Sequence, residues 1–282
     1  MRQAEGALAR AVALIEEPDG LLVAAGAGMG VDSGLPDFRG NSGFWRAYSP
    51  LARLGLAFHE MACPDTFERD PRLTWGFYGH RLALYRATVP HAGFGILRTI
   101  GARMAHGSFV FTSNVDGQFQ RAGFGEETVV ECHGSIHHLQ CTVPCCDAIW
   151  PADAFDPEVD MDACRLVSNL PVCPRCSALA RPNILMFNDG AWLPDRSEAQ
   201  YARFTRWRAG VGKLAVIELG AGVDIPSVRR MAESQRATVI RINPREAAVQ
   251  GGVSLEMGAL DALRALATEL GIEPDQVEKL ST

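Results

Sequence analysis

Two short cysteine clusters, Cys141-Thr-Val-Pro-Cys145-Cys146 and Cys173-Pro-Arg-Cys176, are separated by residues 147–172. Four thiolates drawn from two such loops can close a tetrahedron, the arrangement that Zn²⁺ favours. The second cluster has the regular CxxC spacing; the first is irregular. A redox dithiol at Cys173/Cys176 is a rival reading that leaves the first cluster unexplained, and buried packing thiols are a third. Cys141, Cys145, Cys173 and Cys176 are the expected ligands, with Cys145 chosen over Cys146 because Pro144 stiffens the turn directly before it. Four thiolates leave no open coordination position, so this zinc should hold structure and not catalyse. Cys63, Cys132 and Cys164 are expected in the core.

Three further segments combine hydroxyl, amide, carboxylate and imidazole groups: Ser33-Gly-Leu-Pro-Asp37-Phe38-Arg39-Gly40, Thr112-Ser113-Asn114-Val115-Asp116-Gly117 and Glu131-Cys132-His133-Gly134-Ser135. Singly, each has an ordinary reading as turn chemistry, a capped helix start or a core histidine. Their shared context argues otherwise, because each follows an apolar run that reads as a buried strand. Ligands of α/β proteins bind at the carboxyl ends of such strands.

The elements that must position these groups follow from periodicity. Leu8, Ala11, Val12 and Ile15 have helical spacing, and the apolar run at residues 21–25 leads straight into Gly26-Ala27-Gly28-Met29-Gly30. Without Cβ atoms such a turn can lie close to a pyrophosphate. Val31 breaks the full GxGxxG pattern, and a plain tight turn fits about as well. Further buried strands are expected at 108–112, 128–131, 213–219, 237–242 and 252–256, and an amphipathic helix at 260–270. Buried strands alternating with helices imply an α/β fold with a parallel sheet covered on both faces. Residues 41–90, with aromatics at helical spacing among Arg and His, read as a helical insertion. Residues 137–182, which hold the Cys clusters, read as a small metal-held module.

Composition narrows the function. The chain of 282 residues is 47% hydrophobic with net charge −6, which disfavours direct nucleic-acid binding. No apolar run is long enough to span a bilayer, and acidic residues interrupt the N-terminal apolar stretch where a signal peptide would have none. A cytoplasmic location is expected. The sequence does not reveal an oligomeric state.

The combination GAGMGVDSGLPDFRG, TSNVDGQFQRAG, ECHGS, the Cys clusters, RPNILMF (Arg181–Phe187) and RINPRE (Arg241–Glu246) resembles a sirtuin in order and spacing, from about Leu21 to the C-terminal helix. Sirtuins are NAD-dependent protein-lysine deacylases. The resemblance implies one domain over 1–282: a Rossmann-like NAD-binding fold carrying the two insertions, one structural zinc per chain, and an acyl-lysine peptide in the cleft between the parts. It places Gly26, Ala27 and Gly28 over the pyrophosphate. Ser33, Asp37, Phe38 and Arg39 fall in the NAD-binding loop, Ser113, Asn114 and Asp116 at the ribose and nicotinamide pocket, and Gly220, Ala221 and Gly222 in a loop against NAD. Asn243 falls at the adenosine ribose, Phe187 on the substrate-binding strand, and His133 at the catalytic base, with Asn114 also catalytic. A neutral imidazole suits the removal of a proton from a ribose hydroxyl.

Tyr78 and Arg81 lie three apart, on one face of a helix, where sirtuins that remove succinyl and malonyl groups carry a Tyr-x-x-Arg motif. Arg offers a fork of donors to a carboxylate and Tyr adds a hydroxyl. Several residues depart from the family pattern: Gly30 for Ser, Ser113 for Gln, Phe119 for His, Asn188-Asp189 for Gly-Glu, and a shortened 220–226 loop. The expected function is therefore an NAD-dependent deacylase favouring acidic acyl groups. An ADP-ribosyltransferase or NAD glycohydrolase on the same fold is the enzymatic alternative, and a non-catalytic NAD- or ADP-ribose-sensing module the other.

Overall fold

The computed structural model describes residues 2–37, 44, 45, 48–143 and 145–273. Six strands, β1 (Gly20–Ala25), β2 (Ser108–Thr112), β3 (Val129–Glu131), β9 (Leu214–Leu219), β10 (Val239–Ile242) and β11 (Val253–Leu255), form one sheet in the order β11-β10-β9-β1-β2-β3. Every pairing in it is parallel. The expected strands are all found, most of them one or two residues shorter than drawn. Alternate residues of β1 feed two cores. Leu21, Val23 and Ala25 pack with α1 (Arg2–Glu16), a helix over Ala92–Ala102 and the last helix, Ala259–Glu269. Leu22 and Ala24 pack with Phe204, Val228 and Ala232 on the opposite side. A sheet covered on both faces explains why its strands read as unbroken apolar runs.

The chain runs outward from β1 through β2 to β3, and then returns to build β9, β10 and β11 on the other side of β1. The boundary between β1 and β9 is the switch point of the sheet, where the loops after two neighbouring strands diverge and leave a crevice. These loops are Gly26–Gly30 and Gly220–Gly222.

The two insertions fold as one body. α2 (Pro71–Ala87) starts where Pro71 occupies the first turn and the Asp70 side chain accepts the Leu73 N–H at 3.1 Å. Strands β4 (Gly134–Cys141), β5 (Ile149–Pro151) and β8 (Ala180–Ile184) form a three-stranded antiparallel sheet, and β6 (Val159–Asp160) pairs with β7 (Arg165–Leu166). The β6–β7 hairpin packs on α2. Arg165 makes a two-pronged ion pair with Asp70 at 2.7 and 2.9 Å. A Cβ added to Gly76 would lie 2.1 Å from the Cys164 carbonyl oxygen, so glycine is what lets helix and hairpin touch. One core, with Phe44, Tyr48, Phe67, Trp75, Phe77, Tyr78 and Tyr85 among its members, spans both insertions.

Among the described residues, no helix is long and apolar enough to cross a membrane.

Candidate active site and metal centre

A cavity of about 730 Å³ opens between the carboxyl ends of the sheet and the α2 body. Its lining includes Gly26, Ala27, Asp37, Ser113, Asn114, Asp116, His133, Gly220, Ala221 and Gly222 from the sheet side, and Tyr78, Arg81 and Phe187 from the other. These residues were singled out from the sequence, and they come from seven separate stretches of chain. Phe38 and Arg39 lie outside the described residues.

His133 stands directly after the strand-end segment and before Gly134. Gly134 has φ +78°, and a Cβ there would meet the Asn183 carbonyl oxygen at 2.1 Å. Glycine is thus required for β8 to pass under the histidine, whose own carbonyl accepts the Leu185 N–H at 2.9 Å. His133 Nε2 lies 3.5 Å from Ser227 Oγ. Burial lowers its pKa below the usual histidine range, opposed by a hydrogen bond to the Ser113 backbone. The imidazole is therefore neutral at neutral pH, the form that can take up a proton.

Asn114 is fixed from two sides. Its N–H donates to Thr112 Oγ1 at 3.0 Å, and its Nδ2 to the Gly26 carbonyl at 3.1 Å. Burial pushes the Asp116 carboxyl up to about 6, while the Gln118 N–H, donated to Oδ1 at 2.9 Å, pulls the other way.

The glycine turn packs against the loop after β9. A Cβ on Gly28 would lie 2.6 Å from the Gly220 Cα, and one on Gly26 would lie 2.8 Å from the Ala221 Cα. Gly220 itself has φ +59° and would meet the Gly28 Cα at 2.4 Å. The Gly28 N–H donates to the Gly220 carbonyl at 3.0 Å. These small residues are demanded by the approach of two protein backbones at the switch point, and Gly28 is outside the cavity lining. Ser33 is also set back: its Oγ accepts the His91 N–H at 2.9 Å, which ties the turn to the start of the next helix. Asn243 is fully buried. Its Nδ2 donates to the Ala221 carbonyl at 3.0 Å and its Oδ1 accepts from the N–H groups of Arg245 and Glu246. It shapes the 220–222 loop from beneath.

On the opposite wall, Tyr78 and Arg81 project from α2 into the cavity. The guanidinium lies between three rings, with centroids of Phe77, Tyr78 and Tyr85 at 5.2, 5.9 and 5.4 Å. Its Nε and Nη2 donate to the Tyr85 hydroxyl at 3.0 and 2.8 Å. Sequence reasoning missed Tyr85, although its place one helical turn beyond Arg81 was a readable signal. It also missed the purpose of Asp189. That carboxylate is buried and pairs with buried Arg181 at 2.7 and 2.9 Å, and it accepts the Met186 N–H at 3.2 Å. The pair clamps the loop that presents Phe187, whose N–H donates to the Ala62 carbonyl at 2.9 Å. Phe119 packs between Phe94 and Phe124, with ring centroids 4.9 and 5.3 Å away. It is a core residue and brings no polar group to the cavity.

The sulfurs of Cys141, Cys145, Cys173 and Cys176 lie within 4.8 Å of one another. Cys141–Cys176 and Cys145–Cys173 are 3.6 and 3.7 Å apart. A zinc with ~2.3 Å bonds to four sulfurs at tetrahedral angles separates them by about 3.8 Å, close to these two distances, so the set suits the ion. Pro144, used to favour Cys145, lies outside the described residues, but the grouping includes Cys145 and leaves Cys146 out. Backbone N–H groups at Arg175 and Cys176 lower the Cys173 thiol to about 6, the direction a thiolate ligand needs. The cluster sits at the far end of β4 from His133, and so can act on the cavity only through structure.

The chain belongs to the Sir2 family, whose model matches residues 26–206. It is 32% identical over 236 residues to NAD-dependent protein deacylase 2 of Pyrobaculum aerophilum, covering 81% of each chain. It is 30% identical over 262 residues to an NAD-dependent protein deacylase of Thermus thermophilus, covering 89% of this chain and 91% of that one. Its fold superposes on a crystal structure of a Sir2 homologue in complex with NAD with a TM-score of 0.70, at 23% identity, over 97% of this chain and 95% of the other.

Proposed function

We propose that this Sir2-family protein is an NAD-dependent protein-lysine deacylase whose preferred acyl group carries a carboxylate. An acyl-lysine peptide, NAD and water would give free lysine, nicotinamide and O-acyl-ADP-ribose. The observation that carries the reading is a single cavity lined at once by His133, Asn114 and Asp116 and by Tyr78 and Arg81. The sheet wall, with its strand-end loops and neutral imidazole, suits a nicotinamide ribose from which His133 removes a hydroxyl proton. Asn114 is held by Thr112 and Gly26 and has little freedom to lose when it orients a substrate group. The other wall supplies a buried cation beside a phenol. A succinyl or malonyl group would bring a carboxylate to that cation, which a neutral acyl group does not. Phe187 stands half exposed at the rim, where a peptide backbone would enter. The zinc supplies rigidity to the body that carries these side chains. The reduced thiols it requires fit action in the cytoplasm.

The test is product mass spectrometry with NAD and matched succinyl-, malonyl- and acetyl-lysine peptides, using wild type and Arg81→Met. The expected outcome is efficient removal of the acidic acyl groups by wild type, and a loss of about 10- to 100-fold in that activity for Arg81→Met. A wild-type preference for acetyl would remove the acidic-acyl reading. Consumption of NAD with every peptide intact would favour a glycohydrolase or transferase.

A further inference from the structure

Arg81 is not presented to the cavity by α2 alone. Tyr85, one turn further along the helix, is 4% exposed and lines the same cavity. Its hydroxyl accepts both Nε–H and one Nη2–H of Arg81. That pair of hydrogens forms one edge of the planar guanidinium; the Nη1 hydrogens and the second Nη2 hydrogen form the opposite edge. Tyr85 is itself anchored: its backbone carbonyl accepts Gln118 Nε2 at 3.1 Å, and Gln118 is set by Asp116 through the 2.9 Å bond to Oδ1.

We propose that Tyr85 is a specificity-determining positioning residue, which grips Arg81 by its Nε/Nη2 edge and so sets the orientation in which the guanidinium faces the carboxylate of the acyl group. This rests on the acidic-acyl reading given above and deepens it. A long arginine side chain ordered only on binding loses rotamer freedom at that moment, whereas one already held by a hydroxyl and stacked among three rings does not. The carboxylate is bound through two parallel N–H bonds, a geometry that a rotated guanidinium cannot provide. A phenol oxygen that accepts two N–H groups fixes the plane of the guanidinium as well as its position, which a phenylalanine ring could not do. Neutral acyl groups use neither arrangement. The residue therefore discriminates among acyl groups and does not set the rate of the chemical step.

The experiment measures kcat/KM of the full chain for succinyl- and acetyl-lysine versions of one peptide at saturating NAD, in wild type, Tyr85→Phe, Arg81→Met and the double variant. Tyr85→Phe should lower the succinyl-to-acetyl ratio about tenfold, chiefly through KM for the succinyl peptide. Both substrates are measured on the same enzyme, so partial unfolding does not move the ratio. In the Arg81→Met background the same change should leave the ratio where Arg81→Met alone puts it, because Tyr85 acts through Arg81. An unchanged ratio in Tyr85→Phe, with wild type preferring succinyl, overturns the role of Tyr85 and leaves the acidic-acyl reading standing. An equal fall in both backgrounds overturns positioning through Arg81. A wild type that prefers acetyl overturns the acyl reading, and this inference with it.

Discussion

The two walls of the cavity are built differently. The sheet wall is largely backbone: Gly26, Ala27 and Gly220–Gly222 bring two strand-end loops so close that Cα atoms at Gly28 and Gly220 leave no room for a side chain. The α2 wall is side chain, with Phe58, His59, Tyr78, Arg81 and Tyr85 reaching inward. The cores behind them differ in the same way, aliphatic under the sheet and aromatic under α2. A wall of backbone changes little when residues change, and suits a constant co-substrate. A wall of side chains can be altered one residue at a time, and suits a variable acyl group. His133 stands at the seam, ending the sheet-side segment and beginning β4 of the other body.

The largest effect should come from that seam. His133→Ala should lower deacylation of any acyl peptide by about 10²- to 10⁴-fold, read as deacylated peptide by mass spectrometry. A variant that keeps more than a tenth of wild-type turnover would take the proton-transfer role away from His133 and with it the meeting of the walls as the catalytic point.

Metal removal should separate the walls. Elemental analysis should find one zinc per chain, and a chelator or Cys173→Ala should lower the melting temperature by about 10 °C or more, since structural zinc contributes several kcal/mol of folding energy. Acyl discrimination should be lost before NAD binding, because the metal holds β4 and β8 and through them the α2 body. Loss of NAD binding with acyl discrimination intact would reverse the assignment.

How much of this was legible in the sequence also differs between the walls. Periodicity placed the parallel strands and both terminal helices, because strands buried on two faces leave unbroken apolar runs. Chemistry-bearing residues at strand ends gathered as expected, since parallel topology sends every such end to one edge. What the sequence could not show was tertiary closeness. Gly28 and Gly220 face each other across the switch point, far apart in sequence, so the demand that each loop places on the other could not be read from the turn alone. The bonds of Asn243 to the Ala221 carbonyl and of Ser33 to the His91 N–H likewise join segments far apart in sequence. Asp189 looked like a departure from the family and is a buried partner for Arg181. The two insertions, drawn separately, share one core because their contacts are long-range.

Paired alanine substitutions test that closeness. Gly28→Ala places a Cβ 2.6 Å from the Gly220 Cα, and Gly76→Ala places one 2.1 Å from the Cys164 oxygen. Both collide with backbone, which cannot swing aside as a side chain could. Each should cost about 1–3 kcal/mol by thermal or denaturant unfolding. The functional consequences should part: Gly28→Ala should raise KM for NAD, and Gly76→Ala should raise KM for the acyl peptide. If both raise the same KM, the walls are not separable units.

The smallest effect is a pH dependence that joins the walls. His133 has its pKa lowered by burial, so it is neutral above the usual histidine value and is protonated only as pH falls below it. Asp116 has its carboxyl raised to about 6, so it is ionised above that value and neutral below. Both groups leave their neutral-pH forms on the acid side. The profile of kcat/KM should therefore be flat from about pH 7 to 8 and fall below about pH 6, with a limiting slope on a log–log plot steeper than one proton. Arg81 lowers the Asp116 pKa across the cavity. Arg81→Met, assayed with an acetyl-lysine peptide so that no carboxylate intervenes, should shift the acid limb to higher pH, because the carboxylate loses a favourable positive neighbour. A limb that stays in place would mean that Asp116 does not titrate in the step measured, leaving Arg81 tied to the acyl group alone.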